Sequence, residues 1–561
     1  MPLYTDSTQK IYNMKSTISL LVFILFLHSN SSYGNERTWI LFANKDYINN
    51  NLGVSLDSLE SKWSPRSLKR RAKAGIGLSI MDSDINQDYI SAVTDLGAEV
   101  VCRSKWMNAI SVVASNQLIS KIEKFDFVQS TQSVASYQLD SNVMDDANNS
   151  LGKEHAVIEY SDIPFSIPLG DYGLSYVQDA QSGAVEAHRR GFTGKGVLLG
   201  MLDTGFQLDH RAFAGIDLVA QYDFIFGDSD PSYDPRTDKR GQANHGTACL
   251  SVIVGKEPGR LVGIAPGVSV ALAKTELTGS ELRIEEDYWV EAIEWLEWLG
   301  VDVVSSSLSY RKWYSKDDYN GVTPFITRAA ARACELGVII CNSAGNDGPQ
   351  KITIGAPADA VDVLAIAAVD SNGIVTGFSS RGPTADGRIK PDVAALGRAV
   401  VCVKPMTWNE YSRWNGTSLS CPIAAGVVAL IIEAHPDWSP SKVREALRSS
   451  SDRSQFPDLN YGYGIINAAK AIDYPTVLGR VIDASSGNGL GGLKVNLISN
   501  EYNRSCITKK TGMYSFCNVP DKDNISLKIY NGDLEIFSSK NLHTPPSIYK
   551  DIIVDMSIAP N

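Results

Sequence analysis

Between about residues 170 and 473 the chain alternates short apolar runs with segments of helical period, and this alternation limits its possible folds more than any other feature. Val197–Leu202 (VLLGML), Val301–Ser305 (VDVVS) and Val338–Cys341 (VIIC) read as strands. Between them, Asp287–Leu299 places Trp289, Ile293 and Leu296 on one helical face. Another helix opens at Ser439-Pro440, an N-cap followed by a proline in the first turn. Ile423–Ile432 (IAAGVVALII) is ten residues long, short of the roughly 18–20 needed to span a bilayer, and reads as a buried core helix. The fold class predicted is α/β, a largely parallel sheet with helices on both faces.

A chain of 561 residues is too long for one hydrophobic core, and its flanks read differently from its centre. Residues 1–34 have the order of a secretory signal peptide: Lys15, the apolar run Ile18–Leu27, then small and polar residues, with Met14 as the more natural start. That predicts a secreted or cell-surface protein. Residues 35–165 carry their own strand (Ala109–Ala114) and helix (Gln117–Ile122) and end in a polar linker, Asp140–Glu154. Residues 475–561 show short strands, turn signals such as Ser485–Gly489 and little helix, which suits a small β-sandwich.

A net charge of −11 argues against nucleic-acid partners, because phosphate neutralisation needs clustered Lys and Arg. The nearest basic run, Arg66–Lys73, reads as a solvated helix face or a protease-sensitive site. No CxxC pair occurs among the eight cysteines, so a zinc site is not indicated, while Cys506 and Cys517 are placed to bridge a hairpin.

Four short segments carry chemistry. The run Val197–Leu202 ends at Asp203-Thr204-Gly205, where the carboxyl end of a parallel strand opens onto a crevice. Asp-Thr-Gly also occurs in aspartic proteases, but there is no second copy here, so only a homodimer would supply the two carboxylates that mechanism needs. Asn244-His245-Gly246-Thr247 places His245 in the first turn of a helix capped by Asn244. His210 lies so close behind Asp203 that it reads as scaffold. Gly416-Thr417-Ser418 leads into the apolar helix, whose N-terminal N–H groups suit an oxyanion. Asn346, in Ser343-Ala344-Gly345-Asn346, follows a strand and is either a turn residue or an oxyanion donor.

In this order, with separations of 42 and 173 residues from Asp203 to His245 to Ser418, these motifs resemble the subtilisin-like serine proteases. Gly194–Val197, Val262–Pro266, Phe378–Pro383 and Lys390–Asp392 extend the likeness over about 190–470. The resemblance implies a serine endopeptidase with Ser418 as nucleophile, His245 as general base, Asp203 as its orienting carboxylate and Asn346 in the oxyanion hole. It implies protein or peptide substrates and no cofactor for the chemistry. It also implies that 35–165 contains a propeptide, a small α+β prodomain acting as an intramolecular inhibitor, ahead of a catalytic domain over 170–473. The rival reading is an inactive relative serving as a binding module.

Two departures bear on specificity. Ser307-Leu308-Ser309-Tyr310 stands where the family has Ser-Leu-Gly-Gly, so Ser309 replaces a glycine in the wall of the substrate pocket, which would also include Ala344 and Gly345. Leu396 stands where proline is common. Cys249 reads as a small buried hydrophobe, with thiol-sensitive inhibition as the alternative. The loop carrying Asp223, Asp228, Asp230, Asp234 and Asp238 is either a solvated acidic loop or a structural calcium site. Over Gly479–Ser499 and Thr511–Phe516 the tail resembles carboxypeptidase regulatory-like modules.

Overall fold

The computed structural model describes residues 35–45, 59–134, 172–279, 282–474, 476–499, 503–517, 519, 525–542, 548–549 and 551–555. The expected leader (1–34) and polar linker (140–154) lie outside the described residues. The chain first forms an antiparallel sheet from β1 (Asn35–Phe42), β2 (Glu99–Ser104), β3 (Ala109–Ser115) and β4 (Val128–Val134), in the order β2-β3-β1-β4. Helices α1 (Pro65–Lys73), α2 (Gln87–Asp95) and α3 (Asn116–Ile122) lie between or after these strands. Side chains alternate along a strand, so Ile40, Ile110 and Val112 pack under α2 and α3. Trp39 and Ala109 face the opposite way, onto the next unit.

After α4 (Tyr176–Gln181) and α5 (Ala184–Arg189) comes a seven-stranded sheet. Its strands are β5 (Leu198–Asp203), β6 (Asp217–Asp223), β9 (Ser269–Lys274), β10 (Val303–Ser306), β11 (Ile339–Ser343), β12 (Leu364–Val369) and β13 (Val393–Leu396). β7 (Lys256–Glu257) and β8 (Leu261–Val262) form a separate small hairpin. The order β13-β12-β11-β10-β5-β9-β6 is parallel throughout. The predicted strand starts at Val197, Val301 and Val338 fall one or two residues early.

Parallel strands covered on both faces must be apolar on both, and these are. Leu199, Met201, Leu272 and Ile366 face α6 (Asn244–Val254) and, later in the chain, the helix Thr417–Ala434. Leu198, Leu202, Ala273 and Ile340 face α7 (Ile284–Leu299) and α8 (Phe325–Glu335). The helix α9 (Thr417–Ala434) is apolar on every side because it is enclosed by the sheet, α6 and two further helices, α10 (Pro440–Ser450) and α11 (Ala468–Ile472). Ser439 caps α10, accepting from the Lys442 N–H at 3.3 Å. A hairpin of β14 (Val400–Val403) and β15 (Tyr411–Trp414) precedes α9.

The tail contains strands only among its described residues. β16 (Thr476–Asp483), β17 (Lys494–Ile498), β18 (Asn503–Ile507), β19 (Met513–Cys517), β20 (Ile525–Asn531), β21 (Leu534–Leu542), β22 (Ile548–Tyr549) and β23 (Ile552–Val554) form two sheets. Val477, Val481, Val495, Leu497, Leu527 and Ile529 form the core they share.

Two expectations fail here. The run Arg66–Lys73 is helical, as α1, but not a solvated face: Arg70 and Arg71 are buried against α7, where Glu297 supplies their counter-charge. The hairpin expected to join positions 506 and 517 is not formed either: Cys506 is a free thiol on β18, and β19, which ends at 517, belongs to the other sheet.

Candidate active site

β5 and β10 are neighbours, yet the chain leaves β5 towards β9 and β6 on one side and returns to β10 on the other. Crevices form outside the carboxyl ends of strands at such reversals. Asp203 is the last residue of β5 and Ser307 directly follows β10, so the crevice opens between them.

Asp203 is fully buried, and its Oδ1 accepts the Thr204 N–H at 2.7 Å and lies 2.7 Å from His245 Nδ1. The close approach of α6 to β5 depends on Gly246. A Cβ there would stand 2.3 Å from the Gly205 carbonyl oxygen and 3.0 Å from Asp203 Cβ. His245 is the second residue of α6, and Asn244 is the first rather than the cap. The turn that closes with the Asn244 N–H on Gly241 O (3.0 Å) already carries Asn244 into the helix, so Ala243 holds the cap position. Burial disfavours the imidazolium of His245, but the Asp203 carboxylate outweighs it and raises the His245 pKa above its ordinary value.

Ser418 is the second residue of α9, two after Gly416, whose φ of 146° (ψ 154°) lies in the positive-φ region that favours glycine, and its hydroxyl donates to the Ser307 carbonyl at 3.3 Å. Pro422 sits four residues on, where its N–H would have bonded the Ser418 carbonyl in a regular helix. That orphaned oxygen is satisfied from outside the helix, by Ser307 Oγ at 2.9 Å and Cys249 Sγ at 3.2 Å. The serine's backbone is thereby tied to both β10 and α6.

Asn346 follows β11, and its Oδ1 accepts the Thr417 N–H (2.9 Å) and hydroxyl (3.0 Å). With the oxygen so fixed, Nδ2 is the donor left on the side of Gly416, 3.8 Å from where a Cβ of that glycine would lie. Asp203, His245, Ser418 and Asn346 thus converge from β5, α6, α9 and β11.

Cys249 lies beneath the histidine, its sulfur 3.9 Å and 4.0 Å from the two ring nitrogens. Burial raises its thiol pKa, which keeps it a neutral donor. Cys421 is buried in the sheet core, bonded to the Cys341 carbonyl at 3.2 Å, with a pKa pushed up to about 12 by burial. His210 is scaffold: Nδ1 accepts the Ala212 N–H and Nε2 meets the Glu410 carbonyl, each at 3.1 Å.

Two strand ends run away from Ser418 side by side, Ser307-Leu308-Ser309 and Ala344-Gly345. Asn342 Nδ2 clips them together on the Leu308 carbonyl at 2.8 Å. Ser309 Oγ is buried, with no hydrogen-bond partner among the described residues. It lies 3.1 Å from where a Cβ of Gly345 would be and 2.3 Å from where one of Gly355 would be. The added hydroxyl therefore occupies space that two glycines leave open.

In the acidic loop, Asp228, Asp230 and Asp234 close short turns by accepting backbone N–H groups two residues ahead. The inward carboxylates are held by an internal cation: Lys274 Nζ lies 2.9 Å from Asp223 and 2.8 Å from Asp238. Burial raises the Asp223 pKa to about 6 even with Lys274 beside it. A calcium ion does not fit these two carboxylates while the ammonium holds them, because all four of their oxygens are already engaged by Lys274 or by the Ile225 and Phe226 N–H groups. Sequence reasoning missed Lys274, the role of the Ser307 hydroxyl and that of Pro422; only Pro422, four residues after Ser418, left a local signal.

The model of the subtilase family matches residues 194–465, and that of the peptidase S8 propeptide domain of Bacteroidota matches 37–150. Subtilisin DY of Bacillus licheniformis is 31% identical over 314 residues, covering 55% of this chain and 98% of its own. The chain belongs to the subtilase family. Serine protease AprX of Bacillus subtilis is 29% identical over 330 residues, 52% of this subtilase and 70% of the relative. The fold is shared with fervidolysin from Fervidobacterium pennivorans, a keratinolytic enzyme related to subtilisin, at a TM-score of 0.54 and 17% identity over 94% of this chain and 79% of that one. This protein is therefore a subtilisin-type serine endopeptidase made with a propeptide.

Proposed function

We propose that Ser418 is the nucleophile that cleaves peptide bonds in protein substrates, with His245 as general base and Asp203 holding its imidazole. The observation that carries this reading is the 2.7 Å contact from Asp203 to His245 Nδ1, which leaves Nε2 for the serine at the mouth of α9. Ser418 Oγ attacks the substrate carbonyl carbon as Nε2 takes its proton. The imidazolium is stabilised by Asp203, and the same proton passes to the leaving amine as the acyl-enzyme forms. Water repeats the sequence to free the acid. The oxyanion is received by Asn346 Nδ2 and the Ser418 backbone N–H. No metal or organic cofactor takes part in these steps.

The slot between 307–309 and 344–345 receives the side chain on the acyl side of the cleaved bond, and Ser309 makes it shallow, which favours small residues. The remaining assignments follow the same reading: 1–34 a leader for export to the medium or cell surface, 35–165 the inhibitory pro-region and its linker, 170–473 the catalytic domain. The tail from 475, whose described elements are all strands, is a carboxypeptidase regulatory-like attachment or stabilising module.

The test is labelling of the matured protein with a fluorophosphonate and mapping of the adduct. An adduct on Ser418, absent from Ser418→Ala, is expected. No adduct on protein that has shed residues 35–165 would overturn the assignment.

A further inference from the structure

α7 presents a row of acidic residues to the pro-region: Trp39 and Ser111 bond Asp287, Ser104 and the Lys105 and Trp106 N–H groups bond Glu294, and α1 bonds Glu297 at the C-terminal end. Glu297 has no exposed surface, and among the described residues every hydrogen bond to its carboxylate comes from α1. Arg71 takes both oxygens, Nε to Oε1 at 2.8 Å and Nη2 to Oε2 at 2.9 Å, and Ser67 Oγ adds a third bond at 2.9 Å. Arg70 bonds Oε1 as well, then passes on to three carbonyls: Glu297 at 3.2 Å, which also accepts the Gly300 N–H, Val301 at 2.9 Å and Leu336 at 3.3 Å. These carbonyls belong to the C-terminal ends of α7 and α8 or directly follow them. Helix C-termini leave carbonyls unsatisfied and carry partial negative charge, so one guanidinium is serving two helix ends at once.

The seat is shaped for this helix. Gly300 and Gly337 end α7 and α8 in left-handed backbone, at φ 91° and 94°. A Cβ on Gly300 would lie 2.6 Å from the Ser67 nitrogen, and one on Gly337 would lie 3.1 Å from Ala74 Cβ. Outside the pair, Arg66 bonds Asp302 and the carbonyls of Gly300 (3.0 Å) and Gly196 (2.9 Å), while Ser64 Oγ reaches the Leu299 carbonyl at 3.1 Å. All of this lies at the amino ends of β5 and β10, a strand length of roughly 15 Å from the Ser418 crevice at their carboxyl ends.

We infer that the enzyme carries a binding site for a pair of adjacent arginines at the C-terminal ends of α7 and α8, remote from the catalytic crevice, and that its occupant is α1 of the same chain. This rests on the reading of 35–165 as a pro-region cut from the enzyme. After the linker is cut, the site retains the pro-region, and departure of Arg70 and Arg71 from Glu297 sets the delay before activity appears.

Two measurements on the full chain test this. The first follows self-processed wild-type protein over time with an arginine-directed dicarbonyl reagent and a chromogenic peptide. Arg70 and Arg71 are expected to stay unmodified after the linker is cut and to become modified in step with the rise in activity. Full modification of both while activity is still suppressed would overturn the proposal. In the second, Glu297→Gln and Arg71→Met should shorten the delay by at least about tenfold, since removing one partner of a buried charge pair acts on dissociation. The final kcat/KM should stay within about twofold of wild type, because neither residue touches the crevice. An unchanged delay in both variants would sink the idea; if Arg71→Met yields no active enzyme, Glu297→Gln and the labelling course decide. A wild-type protein that never reacts with fluorophosphonate after losing its pro-region would instead strike the Ser418 assignment.

Discussion

Pro422 acts by what it lacks. Without its N–H, the Ser418 carbonyl turns to Ser307 and Cys249, and the nucleophile's backbone is held by three elements at once. Replacing Asp203 by Asn should lower kcat by about 10⁴, as expected when the imidazole loses its orienting carboxylate. It should also move the acid limb of the kcat/KM profile to lower pH. His245 must be neutral to accept a proton, and Asp203 is what holds its pKa up, so a limb that stays in place would contradict this assignment. Asn346→Ala should cost about 10²–10³ in kcat with little change in KM, the size of loss known for an oxyanion donor in a subtilisin. Ser309→Gly should raise kcat/KM for substrates with a large apolar residue on the acyl side, relative to alanine, by about tenfold or more, read on a series of chromogenic peptides. At this scale the four motif residues were legible because each motif is a run of neighbours. Ser307 and Cys249 as partners of Ser418 were not, since the bonds join positions 111 and 169 apart.

Elements reveal themselves in sequence by period, and the hidden parts are those whose partners lie elsewhere. α7 was readable from Trp289, Ile293 and Leu296, and β5 from an unbroken apolar run. α1 was readable as a helix, but its burial was not, because Arg70 and Arg71 look solvent-facing until Glu297, 227 and 226 positions away, is brought beside them. The acidic loop misled similarly, since its cation is Lys274, the last residue of β9. Lys274→Met leaves two carboxylates facing one another in the interior without counter-charge. The expected loss is about 3–5 kcal/mol of stability by urea unfolding of the mature enzyme. Lys274→Arg, which keeps the charge, should lose much less.

For the whole molecule, the change in texture along the sequence has its counterpart in the structure, where strand–helix alternation gives way after 475 to strands alone among the described residues. The tail's core is formed from its own residues, so cutting the chain after Tyr474 should leave kcat/KM on a short peptide within about twofold of the full enzyme. A larger fall would mean that the tail supports the crevice. The strand order has one more consequence. Because the chain crosses from one side of β5 to the other before supplying Asn346 and Ser418, the four groups meet only when the last strand of the parallel sheet, β13, and the helix α9 have been laid down. A growing or half-assembled polypeptide holds all the chemistry in its text and none in its shape. Hydrolysis by this molecule is therefore its own certificate of completed folding, and any fragment that stops short of residue 418 is inert, however well its earlier parts are built.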